Sequence, residues 1–451
     1  MPSPSIPRVR DLLPAPAVVQ IDKKFGIKRV EEKRYTPWHA LRGNSRFRLY
    51  FVGSVTSDFG TWLQNSAQVI LAYQLAHSVL TVGLVTFAQF TSPLVLGPWA
   101  GVMADKWGGR RTLLLTQAVS ACVAATLAGL DFGGALNAWI LVVGAIIGGL
   151  AFTFALPARN LTVQRLVPQA DKLKPAFAMD SVSYNLGRAI APVVTIAMVF
   201  TKVTLAWAFA ANAVSFIAFS LILWLIHMHA AAEPGRRSQF RDGFRIACQN
   251  RRIMILLLMV AAVTVADDPI LVLGPELAKQ LHVSADLSGW FIAALGAGTV
   301  LGSFRRSKHL ATLRLAATAL ATLALCMLLF VLAPKTEFAL PKMWIAVIAA
   351  LGAGASCLIA NSVTRAALIE RAGPESSAAV MAVWAIAWAG SKPFASLLDG
   401  TLGSLIGLQW TGLILATPAL IPILVIVVAP KVGTWLADAR STHSPEPAIA
   451  G

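Results

Sequence analysis

Charge is what this chain has least of. Only 13% of its 451 residues are Asp, Glu, Lys or Arg, where a soluble globular domain carries about 25%. With 57% hydrophobic residues, that shortage excludes a soluble fold and makes this a polytopic membrane protein. Acids are scarcer still, 21 against 38 bases. The formal charge of +17 invites a nucleic-acid partner. The bases gather in short links between apolar runs, however, which is how orientation in a membrane is set, so no nucleic acid is expected. Cysteine is sparse as well: Cys122, Cys248, Cys326 and Cys357 show no metal-ligand spacing, and structural thiols are the default. No Gly-rich phosphate cradle with Lys and Ser or Thr is present, which excludes an ATP motor in this chain. Neither an enzymatic triad nor a cofactor motif stands out, and no secretory leader pattern precedes the first apolar run.

What is present is a series of twelve apolar runs, near 47–75, 80–104, 112–130, 136–157, 176–201, 204–227, 253–279, 285–304, 310–333, 342–364, 377–399 and 408–429. Each suits a hydrocarbon layer about 30 Å thick, which takes about 20 helical residues. The even-numbered connections and both tails hold 30 of the 38 Lys and Arg, whereas the odd-numbered ones hold Lys202, Lys279, Lys335 and Lys342. That asymmetry predicts a multi-pass cell-membrane protein with both termini in the cytoplasm. Residues 1–46 carry ten bases, four acids and six prolines, and read as a mostly flexible tail able to touch anionic lipid. In the connection 228–252, Phe240, Phe244 and Ala247 recur at helical spacing among six arginines, which predicts a basic amphipathic helix on the membrane surface.

The two flanking regions, 47–227 and 253–429, look like copies. A shift of 206 residues matches Gln74 to Gln280, Leu75 to Leu281, Ser78 to Ser284 and Gly83 to Gly289, and a shift of 201 matches Val182 to Val383 and Pro192 to Pro393. The expected fold is therefore an all-α membrane protein of twelve transmembrane helices in two pseudo-symmetric six-helix bundles. A tail at 430–451 follows. Duplication with a site between the repeats is how secondary transporters are built, and a monomer suffices for it.

Between the second and third runs lies GVMADKWGGRRTLLL, Gly101 to Leu115. Its order resembles the loop between helices 2 and 3 of the major facilitator superfamily, with Gly109 where that family usually has an Arg. LPARNLTVQRLVP at 156–168 and SVSYNLGRAIAP at 181–192 resemble one efflux branch, the transmembrane secretion effectors, which includes macrolide pumps and enterobactin exporters. WLQNSAQ at 62–68, LGPWAGVMADKW at 96–107 and FRDGFRIACQNRR at 240–252 fit the same branch. The resemblance implies a major facilitator fold. It also implies a conformational gate at Gly101, Asp105, Lys106, Gly108, Arg110 and Arg111, with Asp105 expected near Ser376 and Ser377 at the start of the eleventh span. Arg159 is expected in the same gate, across from Glu370 or Glu375. Gly187 and Pro192 resemble the fifth-helix antiporter motif, with Ala191 in place of a glycine.

Charges inside the runs each need a reason, since one at mid-membrane costs about 2.5–3.5 kcal/mol on insertion scales. Asp58 shares a helix face with Thr61, Asn65 and Gln68. That stripe reads either as cavity lining or as a helix–helix seam. Arg188, three residues after Asn185, needs an anion, and Asp58 is the expected partner, the two forming a proton-coupling pair. Asp267 and Asp268, before Pro269, are candidates for the same role or for a structural ion pair, with Lys392 as counter-charge. Trp384, Trp388 and Lys392 share one face of the eleventh run, and together with Trp290 and Asn361 they complete the candidate substrate cavity. The expected activity is proton-coupled export of a small amphipathic molecule, such as a drug, antibiotic or siderophore. An importer, uniporter, lipid flippase or non-transporting receptor are the alternatives.

Overall fold

The computed structural model describes residues 19–21, 28–30, 40–226, 240–303, 313–336 and 341–428. Within the tail, Val19–Ile21 and Lys28–Val30 pair as antiparallel strands, a piece of order that the tail's composition did not announce. Six long helices then follow: α1 (Ser45–Ala76), α2 (Val79–Trp107), α3 (Gly109–Phe132), α4 (Ala138–Leu166), α5 (Ala170–Phe200) and α6 (Ala206–Leu225). Short polar side chains cap two of them. The Asn44 side chain accepts from the Phe47 amide at 2.9 Å, and Asn137 accepts from Ile140, each satisfying an orphan first-turn donor. Gly108, at φ +82°, is the whole link between α2 and α3, a conformation that favours glycine.

The second region opens with α7 (Phe240–Gln249), then α8 (Arg251–Asp267), α9 (Pro269–Val272) and α10 (Gly274–Gln280). The run at 253–279, read as one span, is thus broken twice, because Pro269 and Pro275 cannot donate to the preceding turn. After α11 (Gly289–Ser303) and α12 (Leu313–Leu332) comes α13 (Lys342–Ala389), then α14 (Lys392–Ile406) and α15 (Leu408–Val428). Straight, the 48 residues of α13 would reach about 72 Å. The Arg365 guanidinium nevertheless lies 5.0 Å from the Trp384 ring centroid, where 19 residues of straight helix would separate them by about 28 Å. The helix therefore folds back, and the runs at 342–364 and 377–399 are two legs of one helical ribbon.

Ten segments among the described residues are long and apolar enough to cross a membrane, against the twelve expected. The two that fall short are rich in inward-facing polar groups. Helix α1 buries Ser54, Ser57, Asp58, Ser66 and Gln68, and the last leg before α15 buries Ser396 and Asp399. Large apolar side chains instead cover the outside: on α6, Trp207, Val214, Ile217, Leu221 and Trp224 are all exposed, an arrangement suited to lipid rather than water. Helix α7 packs differently from its predicted face. Gly243 and Ala247 are buried, with Gly243 against the Ala379 carbonyl, but Phe244 is exposed. The small residues permit an approach that the aromatic ring would block.

Helices α1–α6 pack on one another, as do α8–α15, and the two groups meet chiefly along α2–α14 and α5–α11. At both seams glycine lets backbones touch. A Cβ at Gly83 would lie 2.5 Å from the Ser396 carbonyl oxygen, and one at Gly296 would lie 2.5 Å from that of Arg188. At the end of the bundle away from the N-terminal tail, hereafter the far face, the halves are tied by polar contacts. The Tyr73 hydroxyl donates to Glu276 at 2.5 Å and the Gln74 amide donates to Asp286 at 2.5 Å.

Candidate functional site

Two sets of charged side chains lie inside the helices. The first belongs wholly to α1, α4 and α5. Arg159 of α4 grips both Asp58 oxygens, at 2.6 Å from Nη1 and 3.0 Å from Nη2. The same Nη2 donates to Asp180 of α5 at 2.9 Å and to Ser54 at 2.5 Å. Ser183 donates to Asp58 Oδ2 at 2.5 Å, and Tyr50 reaches Asp180 at 3.5 Å. One guanidinium thus bridges two carboxylates in a fixed fork, with Asp58 almost fully buried and the Asp180 side chain 22% exposed.

The second set crosses between the halves. Arg188 of α5 pairs with Asp267 at the end of α8 at 3.3 Å, and its guanidinium stacks 5.5 Å from the Trp62 ring centroid. Asp268, the neighbouring acid, faces the other way, toward Lys392 at 3.8 Å and the Ser396 hydroxyl. Consecutive helical residues diverge by about 100°, which is why the two acids serve different bases. Lys392 also lies over the Phe90 ring at 4.5 Å, a cation–π contact.

Between these groups runs a narrow cleft, lined among others by Trp62, Asn65, Gln68, Gln89, Phe90 and Lys392. A second narrow cleft shares Trp62, Leu271, Ile292 and Lys392 with it and reaches Arg188, Asp267 and Asp268. Trp62 Nε1 and Gln68 Nε2 are buried there without an acceptor.

Several expected partnerships differ. Asp58 does not meet Arg188. The Gly187 Cβ position lies 2.8 Å from the Asp58 carbonyl oxygen, so the backbones touch while the side chains leave on opposite sides. Arg159 is engaged by Asp58 and Asp180 within its own half rather than by Glu370, which is exposed; the Glu375 side chain lies outside the described ones. Helix α13 continues through 376–377, so no free helix N-terminus awaits Asp105, which is exposed and makes no ion pair among the described residues. Lys106 and Arg111 are exposed too, while Arg110 donates to the Trp224 carbonyl at 2.5 Å. Gly101 has open space around it, and Pro192 lies within α5 facing Gly289 of α11.

Of the candidate cavity residues, Asn65, Gln68 and Lys392 line the clefts. Thr61 is half-buried and donates to the Ser57 carbonyl, and Asn185 accepts from Thr299 across the α5–α11 seam at 3.5 Å. Trp384 and Trp388 stack with centroids 6.0 Å apart. They, Trp290 and Asn361 line neither cleft. Asp180, Asp399, Tyr73 and Glu276 were not singled out from the sequence. An acid seven residues after Lys392 in an apolar run was the available signal for Asp399.

A helical body dressed for lipid, with charge pairs at the seam of two halves, has the build of a secondary transporter. The sequence model of the family described as transmembrane secretion effector matches residues 35–451. The chain belongs to that branch of the major facilitator superfamily. It is 24% identical over 226 residues to the staphyloferrin A transporter of Staphylococcus aureus (strain NCTC 8325 / PS 47), the match spanning 48% of this chain and only 55% of that one. It is 20% identical over 287 residues to macrolide efflux protein A of Streptococcus pyogenes, covering 60% and 68% of the two chains. Among solved structures, the POT family transporter PepTSo superposes with a TM-score of 0.67 over 87% of this chain at 12% identity, covering 99% of its own. The nucleoside transporter NupG does so with 0.66 over 85%, also at 12%, covering 98% of its own. At such identity the likeness is one of fold.

Proposed function

We propose that this chain is a twelve-span, proton-coupled exporter of a small amphipathic molecule, working by alternating access between regions 47–227 and 253–429. The observation that carries the reading is the Asp58–Arg159–Asp180 bridge. Two acids compete for one guanidinium, so a proton arriving at Asp58 frees Arg159 to turn fully to Asp180. A proton leaving restores the fork. The membrane potential adds about 2.3 kcal/mol per charge per 100 mV to such a cycle. The short connections rich in Lys and Arg support cytoplasmic placement of both termini. On this reading Tyr73–Glu276 and Gln74–Asp286 close the outer face, which supports an inward-facing stage. The efflux and siderophore transporters among its relatives support export of a drug-like or siderophore-like cargo.

The test is flux in inside-out proteoliposomes with an acidic lumen, using a labelled macrolide and a labelled siderophore as probes. Accumulation that collapses when the pH gradient is dissipated, and that disappears in Asp58→Asn, is expected. Accumulation of either probe indifferent to both changes contradicts proton coupling at this bridge.

A further inference from the structure

One buried acid has no role in either charge set as described. Asp399 of α14 is 0% exposed, and neither of its carboxyl oxygens has a hydrogen-bond donor. Buried charge persists where it is paired, and every base nearby is already taken. Arg188 serves Asp267, and Lys392 serves Asp268. Asp399 stands three residues after Ser396 and seven after Lys392, the two α14 residues that contact Asp268, so it shares the helix face turned toward that carboxyl. Two carboxylates that meet cannot both be ionised, and such a pair shares a proton. Ser396 completes the surroundings, donating to Asp268 rather than to Asp399. Helix α15 and the apolar length of α2 bring no charged side chain to the pair.

The location matters as much as the charge count. The next residue, Gly400, lies directly against Gly83 of α2: a Cβ on Gly83 would be 2.9 Å from the Gly400 Cα, and one on Gly400 would be 3.1 Å from the Gly83 Cα. This backbone contact between the halves lies one residue along α14 from Asp399. It must part whenever the far face opens.

We propose that Asp399 and Asp268 form a proton-binding carboxyl pair that exchanges one proton with the far-face solution when the α2–α14 seam parts, and keeps it while the seam is closed. A proton from water adds to a carboxylate oxygen, forming one O–H bond, and returns to water by the reverse step. The Lys392 side chain, 3.8 Å from Asp268, faces the one negative charge that the protonated pair retains. This site is separate from the Asp58–Arg159 bridge, and it rests on the alternating-access reading of the chain.

The experiment is infrared spectroscopy of the full-length protein in proteoliposomes at neutral pH, following the carbonyl stretch of protonated carboxyl groups during transfer to heavy water. The wild type is expected to show a band that is lost in Asp399→Asn, shifted in Asp268→Asn and retained in Asp58→Asn. Gly83→Leu, which wedges the seam open, is expected to speed its deuterium exchange. An identical band in wild type and Asp399→Asn overturns the proposal, as does an exchange rate unchanged by Gly83→Leu. Should Asp399→Asn fail to fold, the Asp268→Asn shift and the Gly83→Leu exchange still decide. A persistent band in a protein whose flux ignores the pH gradient supports the pair and contradicts only the coupling at Asp58.

Discussion

Arg188 and Asp267, 3.3 Å apart, join α5 of the first half to α8 of the second, so the shorter of the two ion pairs at the clefts is also a contact between the halves. Its partners flank the cleft lined by Trp62 and Lys392. Parting the halves on that side strands both charges.

Neutralising one partner is therefore expected to be worse than neutralising both. Arg188→Gln leaves Asp267 buried without its base, a loss of about 3–5 kcal/mol for a broken buried pair. The double variant Arg188→Gln with Asp267→Asn should recover much of this. Thermal unfolding of the detergent-purified proteins checks the order, with the double variant melting above the single.

The same logic applies more sharply to Arg159, which holds two acids. Arg159→Ala is expected to lower the melting temperature more than Asp58→Asn does. Adding Asp58→Asn to Arg159→Ala should raise it again, because one of the two uncompensated carboxylates is gone.

How far these pairings could be read from the sequence depends on the direction asked about. Burial was legible: Asp58, Arg188, Asp267, Asp268 and Lys392 all fall inside apolar runs, and none of their side chains is more than 20% exposed. Azimuth was not. Asp58 and Gly187 touch by backbone, yet the rotation of one residue turns Arg188 toward α8, and nothing in a single sequence fixes how two helices are rotated against each other. Asp105 shows another limit. A motif names the residues of a gate without saying which conformation the chain occupies. Asp399 escaped notice because it falls at the last position of its run, where a span and a connection look alike.

Loosening the far face should shift the conformational balance. Tyr73→Phe removes the donor to Glu276, and one net hydrogen bond is worth about 0.5–1.5 kcal/mol, roughly two- to tenfold in population. A maleimide probe on Cys introduced at Leu277, buried in the closed face, should react faster in that background by a comparable factor.

Asp105 makes no ion pair among the described residues in this conformation, so Asp105→Asn should leave the stability of this state unchanged while weakening any state in which the loop is engaged. The expected outcome is enrichment of the form described above, read as faster labelling of cysteines placed in the clefts from the N-terminal face. Substrate binding should be retained.

The most direct test of alternating access is a distance. Spin labels at His77→Cys and His282→Cys, exposed positions on the far face from opposite halves, can be followed by pulsed electron resonance in a background lacking the four native cysteines. Two populations are predicted: a short one corresponding to the closed far face, and a longer one that gains weight in Tyr73→Phe and as pH changes across the range where the buried acids exchange protons. A single distance, the same in both backgrounds and at every pH, would contradict the account.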